Sequence, residues 1–107
     1  MQDILTCAMG LDIHRDVIVA CLAKGELGTD PEIEIRSFST LIPEMRKLRD
    51  WVLEAECHHV AMESTGIYWQ PIYEMLEPCF DGQISILVVN ARHMKNVPGR
   101  KTDMRDA

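Results

Sequence analysis

The sequence predicts an α/β fold built on a mixed five-stranded sheet. Three apolar or alternating runs of strand length come first, a stretch with helical spacing follows, and two further strand-like runs are each reached through a helical segment. The chain has 107 residues, of which 47% are hydrophobic and 26% are charged. This size and composition are typical of one globular domain, which we place at 1–107.

The first three predicted strands lie in the first third of the chain. Residues 4–13 (ILTCAMGLDI) are nearly all apolar and predict a buried strand that Asp12 interrupts. Residues 17–23 (VIVACLA) are rich in β-branched side chains and predict a second strand. Residues 32–38 (EIEIRSF) alternate between apolar and charged side chains, which is typical of a half-exposed strand at a sheet edge. We expect these three strands to form an antiparallel meander.

The second half of the chain alternates helices with strands. Apolar residues at helical spacing predict a helix over 41–55 with Ser39 or Thr40 as its N-cap, and a second helix over 64–79 that begins at Ser64 or Thr65. Residues 58–63 and 84–89 predict strands parallel to the first, and a last helix is expected to begin near Thr102. This order of elements, β-β-β-α-β-α-β followed by a helix, is similar to the ribonuclease H-like arrangement.

Composition excludes several classes of protein. No apolar run reaches the roughly 18 residues of a membrane span, and the N-terminus does not resemble a signal peptide, so we expect a cytoplasmic protein with no membrane partner. The four cysteines are widely spaced, which argues against a zinc site; for Cys7 and Cys21 we expect buried free thiols. Residues 1–91 carry 6 basic and 15 acidic side chains, whereas 92–107 carry 5 basic and 2 acidic ones, so the end of the chain is basic.

Two acidic residues, Asp12 and Glu63, occur on the first and fourth predicted strands. Asp12 lies within an apolar strand, where a carboxylate is costly unless it is paired or binds a cation; the alternative is an Asp that caps a turn with His14 or Arg15. Glu63 closes the fourth predicted strand, and ligand sites lie at the carboxyl ends of parallel strands. Its alternative role is to meet the positive end of the next helix. If the first and fourth strands are neighbours, the two carboxylates lie side by side.

Asp103 and Asp106 are three residues apart, so they share one face of the last predicted helix. An Asp in the first turn of a helix is also ordinary, and only the combination with Asp12 and Glu63 favours a site. Four converging carboxylates repel one another, and hard divalent cations with oxygen ligands relieve that repulsion. Two such ions, about 4 Å apart, are able to activate an oxygen nucleophile and stabilise a leaving oxygen of a phosphodiester. Nearby basic residues would hold the strand: Arg92, Lys95, Arg100, Lys101 and Arg105.

Four segments carry a family resemblance: GLDIHRDVIVA, VAMESTGIYW, VVNARHMKNVPGRK and KTDMRDA. Together, and in this order, they resemble the N-terminal, RuvC-like domain of the DEDD-type insertion-sequence transposases. The resemblance covers almost the whole chain and places the catalytic, metal-binding tetrad of the family on Asp12, Glu63, Asp103 and Asp106. Arg15 stands where the family frequently has Lys.

The resemblance implies cutting and joining of DNA with Mg²⁺ or Mn²⁺, two ions in the complete enzyme. It also implies a homo-oligomer, possible guidance by an RNA, and no organic cofactor. We expect the chain to be the front part of a longer transposase, incomplete at its C-terminal end and inactive by itself. We further expect it to fold with only Asp12 and Glu63 in place, because residues 102–107 would form too short a helix.

Three alternatives stay open at this stage. A junction-resolving nuclease would use the same four acids without joining strands. An ATP-binding domain of the actin or sugar-kinase type shares GLDI in its first strand, although DIHRD lacks the glycines of a phosphate-binding hairpin. A non-catalytic interaction module would pair through the edge strand EIEIRSF. For Tyr68 and Trp69 we expect core packing rather than stacking on a nucleobase.

Overall fold

The computed structural model describes residues 5–26 and 28–90. Five strands and two α-helices follow one another in the predicted order, with one short 3₁₀ turn at Cys79–Gly82 that the sequence pattern did not predict. Their bounds are β1 (Leu5–Ile13), β2 (Val17–Glu26), β3 (Glu32–Ser39), α1 (Ile42–Glu54), β4 (His59–Ser64), α2 (Gln70–Leu76) and β5 (Ser85–Asn90).

The five strands form one mixed sheet in the order β3-β2-β1-β4-β5. β2 pairs antiparallel with both β1 and β3, while β4 runs parallel to β1 and to β5. The predicted meander, the parallel fourth and fifth strands and the edge position of residues 32–38 are all confirmed. β1 and β4 are neighbours at the centre of the sheet, which is the condition for Asp12 and Glu63 to lie side by side.

A single hydrophobic core lies between one face of the sheet and the two helices. In β1 the residues Met9, Leu11 and Ile13 point into this core, and each is at most 3% exposed. Because side chains alternate along a strand, the residues between them point to the other face. That second face is not covered by any helix of the described residues, so we call the two faces the covered face and the open face. The covered face packs on these helix residues: Met45, Leu48, Trp51, Val52, Ile72 and Leu76.

Both helices begin later than the sequence pattern predicted. Leu41 is the N-cap of α1, and the predicted cap Ser39 only accepts a hydrogen bond from the Leu41 N–H, at 3.3 Å. α2 begins at Gln70 rather than at Ser64 or Thr65, and Pro71 lies in its first turn. Gly66 has φ +65°, a left-handed conformation that interrupts a helix, so residues 65–69 form turns between β4 and α2.

Among the described residues, no helix has the length and apolar character that a membrane span needs. The longer helix, α1, has 13 residues and carries charged side chains on its outer surface.

Candidate active site

Asp12 and Glu63 are direct partners in the register of β1 and β4. Adjacent strands lie about 4.8 Å apart, so the two Cα atoms are neighbours across the ladder. Both side chains are exposed and stand on the open face, since Leu11, Ile13, Met62 and Ser64 on either side of them are buried. β1 and β4 are parallel, and both acids lie at the carboxyl ends of their strands. The structure therefore brings together the two acids that the sequence placed on these strands.

The open face beside the two carboxylates forms a depression of about 470 Å³. Its floor consists of the small residues Gly10 and Ala61, which are register partners next to the acids. The space above Gly10 is open, since an added Cβ there would meet no atom within 4 Å. Asp12 and Glu63 supply the acidic end, and Val19, Cys21 and Val89 supply apolar walls. The depression is thus acidic at one end and apolar along the rest.

The prediction that Asp12 lies in a buried, apolar environment is wrong. The side chain of Asp12 is 58% exposed, so it bears no large desolvation cost. The reason is that β1 buries its large residues on the covered face, while Thr6, Ala8, Gly10 and Asp12 alternate with them on the open face. The nearly unbroken apolar run of residues 4–13 concealed this alternation.

Asp12 has a partner in the following turn. His14 Nε2 lies 3.2 Å from Asp12 Oδ1, and the His14 backbone N–H donates a hydrogen bond to the Val17 carbonyl at 2.9 Å. The turn is further fixed by Thr40, whose hydroxyl donates to the Arg15 carbonyl at 2.9 Å. Arg15 pairs with Asp16 rather than with Asp12. The capping alternative considered for Asp12 is thus present in the structure through His14, and it leaves the carboxylate open to solvent.

A second groove, of about 370 Å³, lies on the helix side of this end of the sheet. Arg15, Ile67 and Tyr68 line it. Ile67 is 68% exposed and Tyr68 is 42% exposed. The core-packing role predicted for Tyr68 is therefore wrong, because residues 65–69 are turns rather than the start of a helix. Trp69, in contrast, packs against the core and contacts Tyr73 edge-on at 5.5 Å. The sequence signal for this groove was an apolar pair next to glycine, in TGIYW.

All four cysteines lie in the described residues and are free thiols. Cys57 and Cys79 are buried, whereas Cys7 and Cys21, predicted to be buried, are half-buried. Burial, together with the neighbouring Cys7 thiol, raises the pKa of Cys57 to about 12, so this thiol stays protonated at neutral pH. His58, which follows it, stacks on Phe80 with ring centroids 3.9 Å apart.

The remaining predicted site residues lie outside the described part of the chain. These are Asp103 and Asp106 of the tetrad and the basic residues Arg92, Lys95, Arg100, Lys101 and Arg105. Within residues 5–26 and 28–90, no group of three or more His, Cys, Asp or Glu side chains is placed to hold a metal ion. The described site thus consists of two carboxylates with His14 beside one of them.

The sequence profile of a transposase family, the DEDD type of IS110, matches residues 9–107. No curated protein sequence is similar to the chain. Among solved structures, an exopolyphosphatase-like protein is similar with a TM-score of 0.53 and 10% identity, over 85% of this chain and 34% of that protein. A member of the Ppx/GppA family from Aquifex aeolicus gives a TM-score of 0.49 and 11% identity, over 84% of this chain and 37% of that protein.

The chain spans about a third of the length of these solved structures. At such low identity the likeness to the exopolyphosphatase-like protein shows an α/β fold with a similar sheet and nothing about chemistry. The family match covers nearly all of the chain and includes both carboxylates of the described site.

Proposed function

The chain belongs to the DEDD-type transposase family of IS110 insertion sequences, and on this premise we propose that it is the catalytic domain of a transposase that cuts and joins DNA with divalent cations. The observation that carries the proposal is the direct pairing of Asp12 with Glu63 at the carboxyl ends of two parallel strands. Two exposed carboxylates in this place serve no structural role among the described residues, apart from the contact of Asp12 with His14.

The strand order supports a ribonuclease H-like, RuvC-like fold for this domain. Three antiparallel strands precede two parallel ones, and the first strand lies at the centre of the order β3-β2-β1-β4-β5. This was the arrangement expected from the order of elements. It puts the first and fourth strands, and their acids, in contact.

The donor set fits a hard divalent cation such as Mg²⁺ or Mn²⁺. Carboxylate oxygens are the ligands such ions prefer, and two carboxylates on neighbouring strands repel each other unless a cation lies between them. The thiols and imidazoles that softer metals prefer are not part of the pair. His14 is the nearest imidazole, and its contact with Oδ1 of Asp12 fixes the rotation of that carboxylate rather than adding a third oxygen ligand.

The remaining two acids have a short path to this point. β5 ends at Asn90, and the preceding residue Val89 is the register partner of Glu63. The chain therefore leaves the sheet beside the carboxylate pair, and 12 residues separate Asn90 from Asp103. Even a partly extended segment of this length spans far more than the width of the sheet edge. We propose that Asp103 and Asp106 complete the site with Asp12 and Glu63.

In the proposed reaction, residues of the chain bind the metal ions and the DNA. Asp12 and Glu63 would hold the cations, and the contact between His14 and Asp12 would orient the Asp12 carboxylate. Arg92, Lys95, Arg100, Lys101 and Arg105 bind phosphates of the DNA and so position the scissile bond. The bound ions supply charge stabilisation and a more acidic water or hydroxyl nucleophile. The family resemblance adds an RNA guide and a homo-oligomer to this proposal.

Nicking of supercoiled DNA in the presence of Mg²⁺ or Mn²⁺ tests the proposal, measured on a longer transposase chain that contains these residues, because we expect residues 1–107 to be inactive by themselves. Asp12→Asn and Glu63→Gln keep the shape of each side chain and remove its charge, so we expect each to reduce metal-dependent nicking by about 10²-fold or more. Asp50→Asn and Glu54→Gln on α1, on the other side of the sheet, are the matched controls and should keep the wild-type rate.

The melting temperature of the same variants is measured as a function of Mn²⁺ concentration. The shift reports Mn²⁺ binding and does not require catalytic activity. Equal Mn²⁺ stabilisation in wild type and Asp12→Asn would contradict the proposed site. A product analysis then separates two chemistries: joined strands support a transposase, whereas cleavage without joining would indicate a junction-resolving nuclease.

A further inference from the structure

β3 is an edge strand that is long and regular enough to pair with another strand. It is eight residues long and pairs with β2 in one unbroken register from Glu32 to Ser39, without a bulge. No other described strand lies beyond it. Proteins commonly protect such an edge with charged side chains, proline, a bulge or a very short strand. β3 carries three charged side chains, but it has no proline or bulge within its bounds, and half of its peptide N–H and C=O groups point outwards along a straight edge.

The side chains of β3 are unusual for a free edge. Ile33 and Ile35 stand on the open face and are 54% and 64% exposed. On the covered face Glu34 and Arg36 follow each other, and the Arg36 guanidinium contacts Glu34 Oε2 at 2.7 Å. The guanidinium also lies over the Trp51 ring, 4.1 Å from its centroid. The charged side chains are therefore held in place along the strand, with about half of each still exposed.

From this pattern we infer that β3 pairs antiparallel with β3 of a second copy of this chain, in a register centred on Ile35. A twofold axis perpendicular to the sheet brings residue i of one strand opposite residue j of the other, and j opposite i. In the register centred on Ile35, the Ile35 residues of the two copies lie opposite each other. Glu34 of each copy then lies opposite Arg36 of the other copy. The two sheets then join into one sheet of ten strands.

Neighbouring registers are unfavourable. Centring on Glu34 places two carboxylates directly opposite each other, and centring on Arg36 does the same with two guanidinium groups. Centring on Ile33 puts Glu32 opposite Glu34 twice. In the register on Ile35, each Glu34 lies between its own Arg36 and that of the partner, so four charges alternate in sign across the joint. Among these four registers, charge complementarity favours the one centred on Ile35, in which β3 pairs with a second copy of itself.

Charge reversal tests this interface, followed by sedimentation velocity over a range of concentrations. Glu34→Arg puts two guanidinium groups opposite each other, and Arg36→Glu does so with two carboxylates. We expect each single variant to weaken dimerisation by about tenfold or more. The double variant Glu34→Arg/Arg36→Glu exchanges the charges and should dimerise like the wild type. Circular dichroism and the melting temperature of each variant show that it is folded.

Mixing the two single variants gives the decisive measurement. One carries arginine at both positions and the other carries glutamate at both, so they complement each other and should form a heterodimer more readily than either variant dimerises alone. A wild-type chain that stays monomeric, or single variants that dimerise as well as the wild type, would overturn the inference. The result does not depend on catalysis, because β3 carries none of the acids of the proposed site.

Discussion

The two faces of the sheet differ in what their residues do. On the covered face, large residues such as Met9, Met62 and Ile18 are at most 1% exposed and pack against both helices. On the open face, small residues alternate with the two acids, and large apolar side chains such as Ile35 and Leu87 remain 64% and 60% exposed. The covered face therefore accounts for the folding of the chain. Because no helix of residues 5–26 and 28–90 packs on the open face, this face contributes little to the stability of the described part of the chain.

The largest difference between the faces is expected for truncation of one apolar side chain on each. Met62→Ala removes a side chain that is fully buried under the helices, and we expect it to lower the free energy of unfolding by about 2–5 kcal/mol. Leu87→Ala on the open face should change it by less than about 1 kcal/mol. Urea unfolding of both variants checks the pair. Equal losses would show that the open face is covered in solution.

The next largest effect is expected in the pH dependence of the free energy of unfolding, to which the buried thiol of Cys57 contributes. Burial raises its pKa from 9.0 to about 12, so the folded state retains a proton that the unfolded state releases. This stabilisation is complete below pH 9 and is lost as the pH rises towards 12, with a slope of about 1.4 kcal/mol per pH unit. The measurement is the difference in unfolding free energy between wild type and Cys57→Ala. It should be constant from pH 6 to about 8 and shift in favour of the variant above pH 9; a difference independent of pH throughout would contradict the burial of this thiol.

A smaller effect is expected where the covered face meets the edge strand. Arg36→Gln removes the guanidinium that lies over the Trp51 ring, and we expect a loss of about 0.5–1 kcal/mol in the free energy of unfolding. Arg46→Gln on the exposed side of α1 is the matched control, with a change within about 0.5 kcal/mol. These values are measured on dilute protein, so that self-association does not contribute. If both variants lose the same amount, the cation–π contact adds nothing to stability.

The smallest expected effect has an unusual sign. Glu63→Gln removes one of two like charges that are direct partners across the strands, so in the presence of a chelator it should stabilise the chain by about 0.2–1 kcal/mol. With Mn²⁺ added, the wild type should gain stability and the variant should not, which reverses their order. Thermal melts with and without Mn²⁺ check both signs. A variant that is destabilised under both conditions would mean that Glu63 has a structural role.

Much of the fold follows from the sequence because hydrophobic periods are local. The alternation of EIEIRSF predicted an edge strand, and the β-α-β order predicted that β1 and β4 run parallel. The starts of the helices were less predictable. Ser64 and Thr65 are good N-caps by residue type, but Gly66 takes a left-handed conformation and delays α2 to Gln70.

The candidate site was only partly predictable. The positions of Asp12 and Glu63 at strand ends identified them as candidates. The prediction that Asp12 is buried was wrong, because an apolar strand does not reveal which of its faces is covered. Side-chain size carried that signal, since in LTCAMGLDI the large residues Met9, Leu11 and Ile13 alternate with Ala8, Gly10 and Asp12. The contact between His14 and Asp12 depends on the tight turn that joins β1 to β2, and residue order alone gives no distance.

The most direct test of the account is a crystal soaked in Mn²⁺ and measured at an anomalous wavelength. We expect a peak between the carboxylates of Asp12 and Glu63, and loss of that peak in Asp12→Asn. A map with no peak between the two carboxylates would contradict the proposal that this pair binds a metal ion.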